Sequence, residues 1–381
     1  MNNREYFVLG ADMGNALGQI RSLGIMGIKP IALLITPRPH ICNKSRYIKH
    51  YECFDSVSNA VDWLIRNYGT GSVKHFVYAD SDAVVMELDK RYDLLINNFY
   101  FFNGGGHFCL TNSMHKQQLC RMAAECGLRV PKSIEFEVGQ KIPKFVYPVF
   151  TKAASSFKDN WKADAHICHN EKELESALEN IGDGKVLIQE YIDKKDEYIL
   201  QGMSLNGGDK IFLPIQGGYY RLQPGAYGTF LHFEHYQGGD ELKKNLQGIM
   251  KKANFTGIFE AEFLVDRQDR LYFLEVNFRQ TAWNHTFTRM GINLTWLFSE
   301  YMLNGTADFG ARIKKEPFSL MNEIPDFLTY VGGRKLSLWK WLGDVRRSDA
   351  FQYFDKKDIR PFLFHFSATF SRKIKKHLRL I

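Results

Sequence analysis

The chain has 381 residues, of which 45% are hydrophobic and 24% charged, and a formal net charge of +8. That length supports two or three domains around a sizeable core, and 14% aromatic residues exclude a disordered chain. Six cysteines at irregular spacings, with no CxxC pair, exclude a zinc ribbon or disulfide framework and read as reduced, buried thiols of a cytoplasmic protein. No run reaches the ~18 apolar residues of a membrane span, and the start MNNREYFVLG offers no basic leader.

In chain order, strand and helix signals alternate through residue 110. Tyr6–Leu9 is an apolar strand running into GADMGNALG, followed by a helix through Ile20, Leu23 and Ile25. Further strands are expected at 30–35 and 75–78, with a helix over 60–68, which together predict a parallel βαβ sheet. Gly10, Gly14 and Gly18 do not spell GxGxxG, so they support a tight turn and not a dinucleotide site. Asp12, Asn15 and Asp80, near strand ends, are weak substrate-contact candidates.

From Asn112 the pattern changes. Ser113 is a candidate cap for a helix through Cys126 that ends at Gly127, with Pro131 beyond. Strands are expected at 146–153, 185–192 and across 198–235, the last interrupted by GGYYRLQPGAYG. Helices are expected at 171–180 and 241–253, then a strand pair over 257–277. After about residue 305 only 339–341 and 361–370 suggest helix, a small extension ending in the basic SRKIKKHLRLI. That tail suits either a solvated helix or contact with anionic lipid or an acidic partner. No nucleic-acid reading module is present.

The segment GIFEAEFLVDRQDRLYFLEVNFRQ carries the chemistry. Two alternating runs flank the polar turn Arg267–Arg270, a hairpin signature. Centring the turn between Gln268 and Asp269 sets Glu262 opposite Glu275, Glu260 opposite Asn277 and Leu264 opposite Phe273. All four polar residues then share one face; the other is apolar, with Phe259, Ala261, Phe263 and Val265 against Phe278, Val276, Leu274 and Tyr272. Opposed carboxylates have Cβ atoms ~5 Å apart and repel unless a cation lies between them. Oxygen ligands with a carboxamide suit Mg²⁺ or Mn²⁺ better than zinc, and magnesium leaves positions for the phosphates of a nucleotide. A solvated acidic strip would explain one Glu pair, but not Asn277 and Arg279 following in step.

Glu262 and Glu275, 13 residues apart, with Asn277 and Arg279 in LEVNFR resemble the magnesium site of the ATP-grasp superfamily. Members commonly read N-P-R where this chain has Asn277-Phe278-Arg279, which loses a rigid turn and keeps the polar groups. Lys152, in PVFTKAASS, is a cation among apolar neighbours, costly without an anion; the resemblance places it on the nucleotide phosphates. Lys116 resembles the other phosphate-contacting lysine, a surface lysine being the equal alternative. Glu190, Tyr191 and Ile192 resemble the hinge that reads adenine, and Glu197 the ribose-binding carboxylate. After Lys152, AASSFKDNWK lacks the usual glycines, although Ser155 could still donate to phosphate.

The resemblance spans residues 5–300, and its softer part points to carboxylate–amine ligases typified by bacterial D-aspartate ligase. It implies an α/β (α+β) fold: a Rossmann-like pre-ATP-grasp domain over 1–110 and an ATP-grasp domain over 111–305 with lobes at about 130–192 and 193–305, to which the sequence pattern adds a small helical extension over 306–381. It also implies ATP-driven amide formation through an acyl phosphate, with Arg279 stabilising the phosphoryl group or a later oxyanion. Arg221 is the candidate grip for a substrate carboxylate, with a surface role as the alternative; His285 and Arg289 are candidates to line the same cleft. The partners implied are ATP, a carboxylate such as an amino acid, and an amine acceptor such as a cell-envelope precursor, in a chain whose relatives are often dimers. The competing readings are a carboxylase or purine-pathway ligase of the same fold, a nucleotide-binding regulatory protein and, least supported, a dehydrogenase.

Overall fold

The computed structural model describes residues 4–153, 166–181, 184–222, 228–310 and 316–377. Its strands form three sheets. The first is parallel throughout: β1 (Tyr6–Gly10), β2 (Ile31–Ile35), β3 (His50–Phe54), β4 (His75–Ala79) and β5 (Phe99–Tyr100), in the order β3-β2-β1-β4-β5. Near-continuous apolar runs such as IALLI suit strands covered on both faces. The βαβ expectation holds for this sheet. HYECF, the edge strand β3, escaped it because an edge half open to water carries no apolar run.

The carboxyl ends of β1 and β4 meet where the strand order reverses. There the Ala11 amide donates to Asp80 Oδ2 at 2.8 Å, and a Cβ on Gly10 would lie 1.8 Å from the Asp80 carboxyl carbon. Only glycine fits, so this residue serves the turn, as its sequence spacing suggested. Burial pushes the Asp80 carboxyl up to about 6.

A second, antiparallel sheet comprises β6 (Ser133–Glu137), β7 (Val149–Ala153), β8 (His166–Cys168) and β9 (Lys185–Glu190), in the order β6-β9-β7-β8. With the Glu171–Ile181 helix it closes a core of its own around Phe136, Val149, Leu174, Leu178 and Ile188. The third sheet holds β10 (Lys194–Leu205), β11 (Lys210–Arg221), β12 (Phe230–His235), β13 (Gly257–Asp266), β14 (Leu271–Asn277), β15 (Phe318–Met321) and β16 (Ala350–Phe351). Its order is β14-β13-β10-β11-β12-β15-β16, antiparallel except for the last pair. Its buried residues are continuous with those of the first sheet, from Phe7 to Tyr353.

The helical extension after residue 305 is present as Leu338–Arg347 and Arg360–His377, and the same segment also supplies β15 and β16. It is tied to the first helix, Gly14–Ile25, by the fully buried Arg21. That guanidinium donates to Asp358 Oδ2 at 3.0 Å and to the Tyr353 and Asp358 carbonyls at 2.8 and 2.9 Å.

Two local expectations change. Ser113 ends a short Cys109–Ser113 helix and donates to the Cys109 carbonyl; the next helix, Lys116–Glu125, starts behind His115. It does stop as expected, with Gly127 at φ +87° and the Leu128 amide donating to the Ala123 carbonyl. All six cysteines are free thiols, but only Cys42 and Cys168 are buried, while Cys53 and Cys109 are exposed.

Candidate active site

The β13–β14 hairpin turns at Asp266, whose Oδ1 accepts the Gln268 and Arg270 amides, each at 2.9 Å. Glu262 faces Glu275 and Glu260 faces Asn277, the register that alternation alone selects. Beyond Glu262 the register slips: Phe263 faces Phe273 and Leu264 faces Tyr272, so the expected Leu264–Phe273 pair does not form. Leu274 is the extra, half-exposed residue of a bulge, and Phe273 takes its place in the core against Phe263, rings 5.7 Å apart. Burying an aromatic ring in place of leucine favours the slip, and the freed Phe273 amide donates to the Arg129 carbonyl at 2.8 Å. The bulge lies immediately beside Glu275, where it aims that side chain.

The site is a chain of polar contacts. Asn277 Nδ2 donates to Glu262 Oε1 at 2.9 Å, and Arg279 Nη2 donates to Asn277 Oδ1 at 3.0 Å. Arg279 Nε reaches Asp82 Oδ1 at 2.7 Å, in the first turn of the Asp82–Lys90 helix, so the first sheet's carboxyl edge borders the site. Glu260 lies deeper. It accepts hydrogen bonds from Gln201 on β10 and, at 2.9 Å, from Thr281 Oγ1.

Burial drives the Glu262 carboxyl well above the ordinary carboxylate range, and the charges of Glu275, Glu260 and Glu197 push it further. Burial raises Glu260 as well, offset in part by the bonds from Gln201 and Thr281 and by the charge of Arg279. Four carboxylates thus converge beside one guanidinium, and a cation there would relieve the repulsion. Among the described residues no group of three or more His, Cys, Asp or Glu side chains is arranged to hold a metal ion. Glu262, Glu275 and Asn277 supply oxygen donors alone, the donor chemistry that suits magnesium better than zinc.

Of the nucleotide candidates, Lys152, Glu190, Tyr191, Ile192 and Glu197 fall on the small sheet, the link after it and the start of the large one. Lys152 occupies the β7 position opposite Leu187, next to the strand that ends in Glu190. The exposed Glu190 carboxylate accepts the Lys132 amide at 3.2 Å, the Tyr191 amide donates to the Pro148 carbonyl, and Ile192 is buried. Glu197 pairs with Lys194, and its position on β10 opposite Leu264 puts it on the Glu262 face. Lys116 opens its helix and is half-buried. Ser155 lies outside the described residues.

Arg221 is the main correction. Its guanidinium donates to Asp326 at 3.0 and 2.8 Å and to Asp344 at 2.5 Å, and lies over the Phe230 and Tyr330 rings. Two carboxylates already occupy it, so it holds the extension against β11 and does not fit the substrate-gripping role. His285 and Arg289 bind Asp355 at 2.8 and 3.2 Å, a contact within the protein. Asp12 is likewise engaged, accepting the His40, Ile41 and Cys42 amides. Asp82, Gln201 and Thr281 were missed: each is an ordinary polar residue on a different element, and no local spacing links them to the hairpin.

Neither a family model nor a curated protein matches the sequence. Solved structures do match in fold. An L-amino acid ligase from Bacillus licheniformis superposes with a TM-score of 0.61 at 15% identity, over 80% of this chain and 75% of its own. The N5-carboxyaminoimidazole synthetase of Staphylococcus aureus, complexed with ADP, gives 0.65 at 16% identity over 87% and 85%. The biotin carboxylase domain of Hydrogenobacter thermophilus 2-oxoglutarate carboxylase, with MgADP and bicarbonate, gives 0.59 at 15% over 81% and 72%. These are ATP-grasp structures, and this chain has their fold: an α/β protein with a Rossmann-like first sheet ahead of a two-lobed ATP-grasp unit.

Proposed function

We propose that this protein is an ATP-dependent carboxylate–amine ligase with its active site at the β13–β14 hairpin. The observation that carries the reading is the pairing of Glu262 with Glu275, continued through Asn277 and Arg279 to Asp82 on the first sheet. On this reading residues 1–110, 111–305 and 306–381 are its three parts.

Glu262, Glu275 and Asn277 would hold the divalent ion, which when bound neutralises phosphate oxygens of ATP. Lys152 and Lys116 would contact the phosphates, Glu190, Tyr191 and Ile192 the adenine, and Glu197 the ribose. An oxygen of the substrate carboxylate attacks the γ-phosphorus, the bond to ADP breaks, and an acyl phosphate remains. The amine nitrogen then adds to the acyl carbon, gives up a proton, and phosphate leaves. Phosphoryl transfer asks the protein mainly for positioning and charge. Arg279, oriented by Asn277 and Asp82, supplies a fixed positive charge for the transferred phosphoryl group or the tetrahedral oxyanion.

The test is ADP release by the purified chain with Mg²⁺ across a panel of amino acids and other carboxylates, each with and without amines. Release that needs both substrates, with amide found by mass spectrometry and loss in Glu275→Gln, supports the reading. Release that needs bicarbonate and no other carboxylate assigns a carboxylase instead. Full activity in Glu275→Gln overturns the site.

A further inference from the structure

The positive charge of this protein sits in one place. Residues 331–381 hold 13 of the 50 Lys and Arg but only 4 of the 42 Asp and Glu, so this stretch carries a formal +9 and the preceding 330 residues −1. Within 331–371 the four acids all turn inward. Asp344 binds Arg221 at 2.5 Å, Asp349 accepts the Ser319 amide at 3.0 Å, Asp355 binds His285 at 2.8 Å, and Asp358 binds Arg21 at 3.0 Å. The eight cations of the same stretch, among them Arg334, Lys335, Lys340, Arg346 and Arg347, are all exposed.

Beside them the Leu338–Arg347 helix has no buried residue. Trp341 and Asp344 face the protein, through Asp326 and Arg221 respectively. Outward the helix shows Trp339, 82% exposed, with Leu338 at 46% and Leu342 at 40%. The Arg360–His377 helix adds Leu363 at 51% and Phe364 at 47%, and the two helices meet at Phe327, whose ring lies 5.1 Å from Trp341 and 6.3 Å from Phe370. Under the first helix opens a cavity of about 780 Å³, with Lys335, Lys340 and Arg347 in its wall.

We infer that this face docks on an anionic lipid surface, with Leu338, Trp339 and Leu342 at the acyl boundary and the surrounding cations on headgroup phosphates. An outward Trp and Leu ridge flanked by Lys and Arg is the composition of an interfacial helix, and it gives built form to the basic tail's lipid option. Among the described residues no helix is long and apolar enough to cross a membrane, so the contact is with the surface. A second copy docked here would set a strongly cationic face against itself. A nucleic acid would satisfy the cations but leave Trp339 and the leucines in water. This inference is independent of the reading of the hairpin site.

The test is co-sedimentation of the full chain with vesicles of phosphatidylcholine, alone or mixed with phosphatidylglycerol. Expected is binding to the mixed vesicles, weakened by salt and little on phosphatidylcholine alone. Lys335→Glu with Lys340→Glu, both exposed, should weaken it roughly tenfold or more. Trp339→Phe should still bind but lose part of the tryptophan quenching produced by lipids brominated near the headgroup. Equal binding to both vesicle types, none to either, sedimentation without vesicles, or quenching unchanged in Trp339→Phe would each overturn the proposal.

Discussion

The two lobes that flank the hairpin site are built on different terms. Among the described residues the four-stranded sheet closes over a buried cluster of its own, whereas the seven-stranded sheet shares one continuous core with the parallel sheet before it. The acids Glu262 and Glu275 thus stand on a strand pair that shares the larger core, and Lys152 on a strand of the smaller, separately cored sheet. On the proposed reading, the division puts the candidate phosphate contact Lys152 and the charge cluster on separately cored parts. It also means that damage to the small core stays local, while damage to the shared core spreads.

The sharpest way to break this comparison is at the acids. Glu275→Gln should cost about a thousandfold in ATP-dependent turnover and leave thermal stability equal or higher, since it removes a charge repelling Glu262; a large fall in Tm would mean the pair is structural. Next, Asp358→Ala strands the buried Arg21 and should cost about 3–5 kcal/mol, with hydrogen exchange rising across both the first and third sheets. Leu174→Ala, in the small core, should cost about 2–4 kcal/mol, but with exchange confined to the second sheet and its helix. Exchange spreading into β10–β14 would show that the lobes are one unit.

The last test is in pH. Burial pushes the Glu323 carboxyl up to about 7 from an ordinary 4.5, although it accepts the Gln352, Tyr353 and Phe354 amides. A carboxyl raised on folding favours the folded state in its protonated form. Its contribution is therefore complete below pH 4.5 and is lost as pH rises through about 7. Tm measured from pH 4.5 to 7.5 should accordingly fall more steeply in the native protein than in Glu323→Gln. Identical slopes would show that Glu323 stays ionised.

Sequence reasoning reached the hairpin because strand alternation is strict: one residue of slip would have put Glu262 and Glu275 on opposite faces. It could not reach the bulge at Leu274, which is decided by whether Phe273 or Leu274 packs against Phe263, a matter of three-dimensional fit. Arg221 was misread for a related reason. GGYYRLQPG resembles a substrate loop locally, while the partners that claim the guanidinium, Asp326 and Asp344, lie about a hundred residues further on. Strands β15 and β16, with four and two residues, carry no periodic signal of their own and exist because a sheet edge was waiting for them.

The placement of those last strands has a consequence for how the molecule is made. On the ribosome, the hairpin bearing the acids emerges well before the segments that finish the far side of its sheet and lock down Arg21. Until residues 350–358 arrive, β15 is left without its neighbour β16 and the Arg21 guanidinium without the Asp358 carboxylate. Until then the nascent chain carries an open strand edge on which mispairing can start.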